Sequence, residues 1–151
     1  MRKLSATALA AFVVVTLLTS VTLAQHGGGW GPLGQHGKLY DPKSVVTTHG
    51  SVTVVERFTP LPGMGPGIHM TVETKQGLVD VHLGPAWYVE QQAPKLAVGD
   101  RVAVTGSRIT LDGKPTIIAA AVSKGGATLR LRDVDSGVPV WSGGRRARGG
   151  R

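Results

Sequence analysis

Residues 68–83 read IHMTVETKQGLVDVHL, and the period of this stretch decides the fold class. Ile68, Met70 and Val72 alternate with His69, Thr71 and Glu73, while Val79, Val81 and Leu83 alternate with Asp80 and His82. Successive side chains of a strand point to opposite faces, so two such runs around Lys75-Gln76-Gly77 predict a β-hairpin with one face buried. Placing Gln76-Gly77 at the turn pairs Thr74 with Val79, Val72 with Val81 and Met70 with Leu83. In that register His82 lies opposite Thr71, and His69 is its diagonal neighbour. The polar face then carries His69, Thr71, Glu73, Asp80 and His82.

Working outward, residues 45–58 alternate and are rich in Val and Thr, which predicts a long first strand with a bulge or bend at Gly50. Residues 59–67, TPLPGMGPG, hold three prolines and three glycines and must be a loop. Residues 86–92, AWYVEQQ, predict a short helix, with Trp87 and Tyr88 plugging the end of the structure. A turn at Val98-Gly99-Asp100 leads into a strand over 101–109. Leu111-Asp112-Gly113-Lys114-Pro115 is a hairpin connection into a strand over 116–122, and residues 127–133 add an edge strand. Three strands, a short helix and two strands is the order of the OB-fold. The expected class is therefore all-β: a small five-stranded Greek-key barrel with one short helix between strands three and four.

Three stretches strengthen this. Residues 45–52, VVTTHGSV, the central hairpin, and residues 98–106, VGDRVAVTG, resemble the opening, the hairpin and the "GD.V.VTG" strand of small exported bacterial OB-fold proteins of the stress-induced periplasmic kind. The resemblance implies binding of a small or extended ligand without catalysis. The long Pro/Gly loop and Gly84-Pro85-Ala86-Trp87 depart from that pattern.

The chain has 151 residues, a net charge of +8 and no cysteine. Absence of cysteine removes disulfides, thiolate metal sites and cysteine nucleophiles. Residues 1–24 read as an export signal: Arg2 and Lys3, an apolar run, then small residues ending at Ala24. Cleavage after Ala24 is expected, the alternative being a retained anchor, and the localisation follows as periplasmic or secreted. The positive charge lies at the ends. Between Asp41 and Trp141 five lysines and five arginines face nine acids, which is close to neutral. Arg145, Arg146, Arg148 and Arg151 stand in the Gly-rich tail of residues 142–151. That tail is the one expected polyanion site, and with no aromatic stacking platform on the barrel, nucleic acid is not the expected partner.

Residues 25–43 are Gly- and His-rich and are expected to be a disordered linker before a domain over 44–141, with a disordered tail after it. Within the linker, His26-Gly27-Gly28-Gly29-Trp30 resembles the copper-binding core of the prion-protein octarepeat. That likeness implies Cu²⁺ held by the His26 imidazole, the deprotonated amides of Gly27 and Gly28 and the Gly28 carbonyl, with Trp30 closing over the ion. Gln35-His36-Gly37 is a partial second copy.

No nucleophile elbow, zinc-protease motif or phosphate-binding loop is present, so no catalytic residue is expected. In an OB-fold, ligands meet the face of strands two and three between the first loop and the loop joining strands four and five. Here that names His69, Thr71 and His82, with Met64 and Lys114 on the flanking loops. The partner is an unidentified small ligand or protein. A second reading is copper handling, with His26, His36, His69 and His82 as candidate ligands, because neutral imidazoles suit Cu²⁺.

Overall fold

The computed structural model describes residues 28–143. Its strands are β1 (Val45–Phe58), β2 (Gly67–Thr74), β3 (Gly77–Pro85), β4 (Arg101–Leu111), β5 (Lys114–Lys124) and β6 (Ala127–Arg130), with a one-turn helix α1 (Ala86–Val89) after β3. They are ordered β3-β2-β1-β4-β5-β6, and a parallel pairing of β3 with β5 closes the first five into a barrel. This is the OB-fold order expected from the sequence, with β6 appended to β5.

β1 is long because it serves two partners. Its first half pairs with β4 from Val45 to Ser51, and its second half pairs with β2 from Ser51 to Phe58. Gly50 stands at the changeover, where a Cβ atom would collide with the Glu73 carbonyl. The interior is filled by the alternating apolar positions: Met70, Val72, Val79, Val81 and Leu83 from the hairpin, Val52, Val102 and Val104, then Ile117, Ala119 and Val122. The apolar face of the hairpin is therefore as expected, but its register is not. Val72 faces Val79, Met70 faces Val81, and Thr74 closes the hairpin on Gly77. The turn is Lys75-Gln76, fixed by Thr74, whose hydroxyl accepts from the Gln76 amide and donates to the Gly77 carbonyl. A shift of two residues keeps every side chain on its expected face but puts His69 directly opposite His82.

The expected linker is corrected from Gly28 on. Residues 28–40 pack across the barrel as a strap. Trp30 is 1% exposed and His36 is fully buried. The strap is held from the other end of the chain. The Trp141 indole N–H donates to the Trp30 carbonyl (3.0 Å) and the Tyr40 hydroxyl donates to the Val134 carbonyl (2.7 Å). Two glycines make room. The Trp30 ring lies where a Cβ of Gly67 would be, and the Trp141 ring would be 2.7 Å from a Cβ of Gly84. Gly67 and Gly84 sit beside one another at the paired ends of β2 and β3, so each extension sets one tryptophan on one bare strand. These rings, and not the expected Trp87, seal the barrel. Trp87 is 41% exposed, while Tyr88 is half-buried against Trp141 at 5.3 Å.

Candidate functional site

The outer face of β2 and β3 carries His69, Thr71, Asp80 and His82, as strand alternation requires. The strap divides this face. Under it, His82 is stacked on His36 (centroids 5.2 Å) and edge-on to Phe58 (4.6 Å), and His36 in turn lies against Trp30 (4.5 Å). His82 is thus 2% exposed and is not the surface histidine that its period suggests. His69 stays at the margin, packed on Phe58 at 4.6 Å.

These groups form one polar chain. Arg132 Nη2 reaches His36 Nδ1 at 3.4 Å, His36 Nε2 lies 2.9 Å from His82 Nδ1, and His82 Nε2 lies 3.5 Å from Asp80 Oδ2. Asp80 Oδ1 is 2.6 Å from His69 Nδ1, and His69 Nε2 is 3.0 Å from Glu56 Oε1. A guanidinium only donates, so His36 Nδ1 accepts and its proton sits on Nε2. That proton is given to His82 Nδ1, which leaves the His82 Nε2–H aimed at Asp80. Buried Arg132 is therefore linked to a carboxylate through two imidazoles.

Protonation follows the surroundings. Burial, reinforced by the Arg132 charge, pushes His36 down to about 2, so it is neutral in the folded protein. His69 is partly buried, which alone would lower it, but its hydrogen bonds to Asp80 and Glu56 prevail and raise it. Asp80 is desolvated, yet its contacts with His82 and His69 hold it below the usual carboxylate range. Burial pushes Arg132 down to about 10, and it remains a cation stacked on Trp141 at 4.9 Å.

Beyond the strap the face is open. A hollow of about 370 Å³ is lined by His69, Thr71, Leu78, Asp80, Lys114 and Pro115. A smaller one of about 150 Å³ lies on the other side of Asp80, between Phe58-Thr59-Pro60 and the β4–β5 hairpin, and Lys114 borders both. Of the expected ligand face, His69, Thr71 and Lys114 are brought together at this opening. Met64 is not: it is buried, its side chain packed on Gly29. A separate apolar cleft of about 350 Å³ lies beside α1, lined by residues including Val55, Ile68, Leu83 and Leu96. Arg57 and Glu90, joined by two hydrogen bonds of 2.7 Å, stand at its rim, and it contains none of the expected polar groups.

Three of the four expected metal ligands, His36, His69 and His82, converge. Yet among the described residues no group of three or more His, Asp or Glu is arranged to hold a metal ion. The facing nitrogens of His36 and His82 share a proton's hydrogen bond, and a divalent ion there would sit beside the Arg132 cation. His26 and Gly27 lie outside the described residues, as do Arg145, Arg146, Arg148 and Arg151. The octarepeat-like arrangement also needs the Gly28 carbonyl and a mobile Trp30. Here the Gly28 carbonyl accepts from the Gly65 amide, and the Trp30 N–H donates to the Gly65 carbonyl.

With the barrel, the strap and this face in view, the sequence matches the MamS/MamX magnetosome protein family over residues 44–129. The chain belongs to that family. The matched span runs from the start of β1 into β6, so it holds Glu56, His69, Asp80, His82 and Lys114. The strap and the segment bearing Arg132 and Trp141 fall outside it. The matched family is not the stress-induced periplasmic one that the sequence resembles; the stretches that carry that likeness lie in β1, in the β2–β3 hairpin and in β4 with the turn before it. No curated protein matches the chain.

Arg132 and Trp141 carry no sign of the site in the sequence, while Trp30 and Asp80 are marked there in other roles, as a cover over copper and as one member of the polar face. Arg132 looks solvated in its own segment, and only the fold brings it to His36. Gly67 and Gly84 were the available signal, since two bare positions at paired strand ends invite a large ring.

Proposed function

We propose that this chain is an exported, non-catalytic OB-fold binding module that receives a small ligand or a segment of a partner protein on the open half of its β2/β3 face. The observation that carries the reading is the hollow beside Asp80. Its walls offer a hydroxyl (Thr71), an ammonium (Lys114) and exposed apolar surface (Leu78, 60%) on a rigid sheet. Among the described residues, neither Thr71 nor Lys114 has a side-chain hydrogen bond or ion pair. A few placed polar groups on an apolar surface is the composition of a recognition site. Export rests on Arg2, Lys3 and the apolar run ending at Ala24. Association with the magnetosome is part of this reading, and it is supported by the family's name.

Photo-crosslinking tests the reading. A crosslinking amino acid replaces Leu78 or, as a control outside the hollow, Val98, in the full-length chain expressed in its own host. A discrete adduct, small molecule or protein, is expected at position 78 only and should be lost on adding Lys114→Glu. The same adducts at both positions, or adducts indifferent to Lys114→Glu, would sink it.

A further inference from the structure

Toward the tip of the β2–β3 hairpin, β1 and the hairpin part company. β2 pairs with β1 no further than Ser51–Glu73, yet the hairpin continues through Thr74 to Gly77. From Val45 to Gly50, β1 pairs with β4 on one edge, and among the described residues no strand pairs with its other edge. A strand in this state presents unpaired N–H and C=O groups at strand spacing. Two adjoining hollows of about 610 and 600 Å³ open here, and His49 and Lys75 border both.

The charge around this gap is one-sided. Lys75, Arg101 and Arg108 line the hollows together with His49, and Glu73 is the one acid on their walls. Among the described residues none of the three cations forms an ion pair, whereas Arg57 and Lys124 elsewhere on the barrel do. The rest of the lining is uncharged, with four hydroxyls from Thr47, Thr48, Ser51 and Thr74 beside Val46, Val102 and Gln76. The barrel body is nearly neutral, so this concentration is local.

We infer that the gap between the first half of β1 and the hairpin tip accepts an extended acidic polypeptide segment of a partner protein, which adds to β1 as a strand. Backbone pairing along Val45–Gly50 would supply the affinity, and Lys75, Arg101 and Arg108 would select acidic side chains. The chain's own Arg-rich tail has the wrong sign to fill it. Single-stranded nucleic acid would want a platform of Phe, Tyr or Trp rings, and neither hollow has one of these in its walls. This site is separate from the β2/β3 hollow and does not rest on it.

The probe is a fluorescent peptide of alternating Glu and Val, read by anisotropy with the full-length chain. Comparisons are its Lys-for-Glu counterpart, a copy N-methylated at alternate residues, and oligo-dT. Saturable binding is expected for the acidic peptide, with at least tenfold loss in Lys75→Glu/Arg101→Glu and at least tenfold loss on N-methylation. The Lys peptide should not bind. Deleting residues 144–151, or changing Lys114→Glu, should leave the affinity unchanged. All three charge positions are exposed, and an unaltered melting temperature shows that each variant is folded. No saturable binding, binding that survives charge reversal, or binding lost with the tail would overturn the inference. Equal binding of the N-methylated peptide would overturn strand addition. Tighter binding of oligo-dT, with the same sensitivity to charge reversal, would make the gap a polyanion surface instead.

Discussion

His36 is a neutral imidazole enclosed by Trp30, His82 and Arg132, and this makes it a liability in acid. The unfolded chain takes up a proton on it near its ordinary value of 6.5, while the folded protein does not until about 2. Below pH 6.5 the unfolded state therefore binds more protons, and stability falls as pH falls, by about 1.4 kcal/mol per pH unit for one such group. His69 behaves oppositely: its raised affinity for the proton stabilises the fold below 6.5 and is lost as pH rises. The contribution of Asp80 is retained down to the carboxylate range. Between pH 6.5 and 5 the slope thus belongs to His36. His36→Gln, which hydrogen-bonds without titrating, should melt lower at pH 7.5 but show a flatter Tm profile across that window. Melting curves at half-unit pH steps decide it, and parallel profiles would show that His36 is not the titrating group.

At the scale of elements, strand alternation was legible because it is local. Met70, Val72, Val79, Val81 and Leu83 are buried as the period requires, and the five barrel strands fall near their expected limits. Register was not, because a two-residue slip preserves both faces; what fixes it is Thr74's bonds to its own turn together with the pairing of β2 to β1 and of β3 to β5. The strap was illegible for another reason. Its glycines carry no periodicity, and Trp30 and His36 are ordered by β2, β3 and residues about a hundred positions later. The match of Trp30 to Gly67 can be measured directly. Gly67→Ala should cost roughly 2 kcal/mol or more by forcing the indole to move. In a Trp30→Ala background, itself weakened by ~3–5 kcal/mol, the same change should cost far less. A double-mutant cycle by urea denaturation gives the coupling, and additive costs would mean that the two do not share a space.

For the whole molecule, the barrel and its two extensions pack on one another, and they should melt together. A chain starting at residue 44 lacks Trp30 and His36 and leaves His82, Phe58 and Gly67 uncovered. Compared with a chain starting at residue 28, it should melt at least 10 °C lower, since a loss of several kcal/mol moves Tm by about 4–8 °C per kcal/mol in a domain of roughly 100 residues. Equal melting temperatures would make the strap a passenger. The indole bond between Trp141 and Trp30 spans 111 positions. It also sets a clock. A chain emerging N-terminus first can fasten the strap to Gly65 and His82 as they appear, but its bonds to the C-terminal segment, from Tyr40 to Val134 and from Trp30 to Trp141, close only when those residues arrive. Until then the strap over His82 and Phe58 is held from the barrel side alone. The cover over this face is locked on both sides only when the segment after β6 has been added.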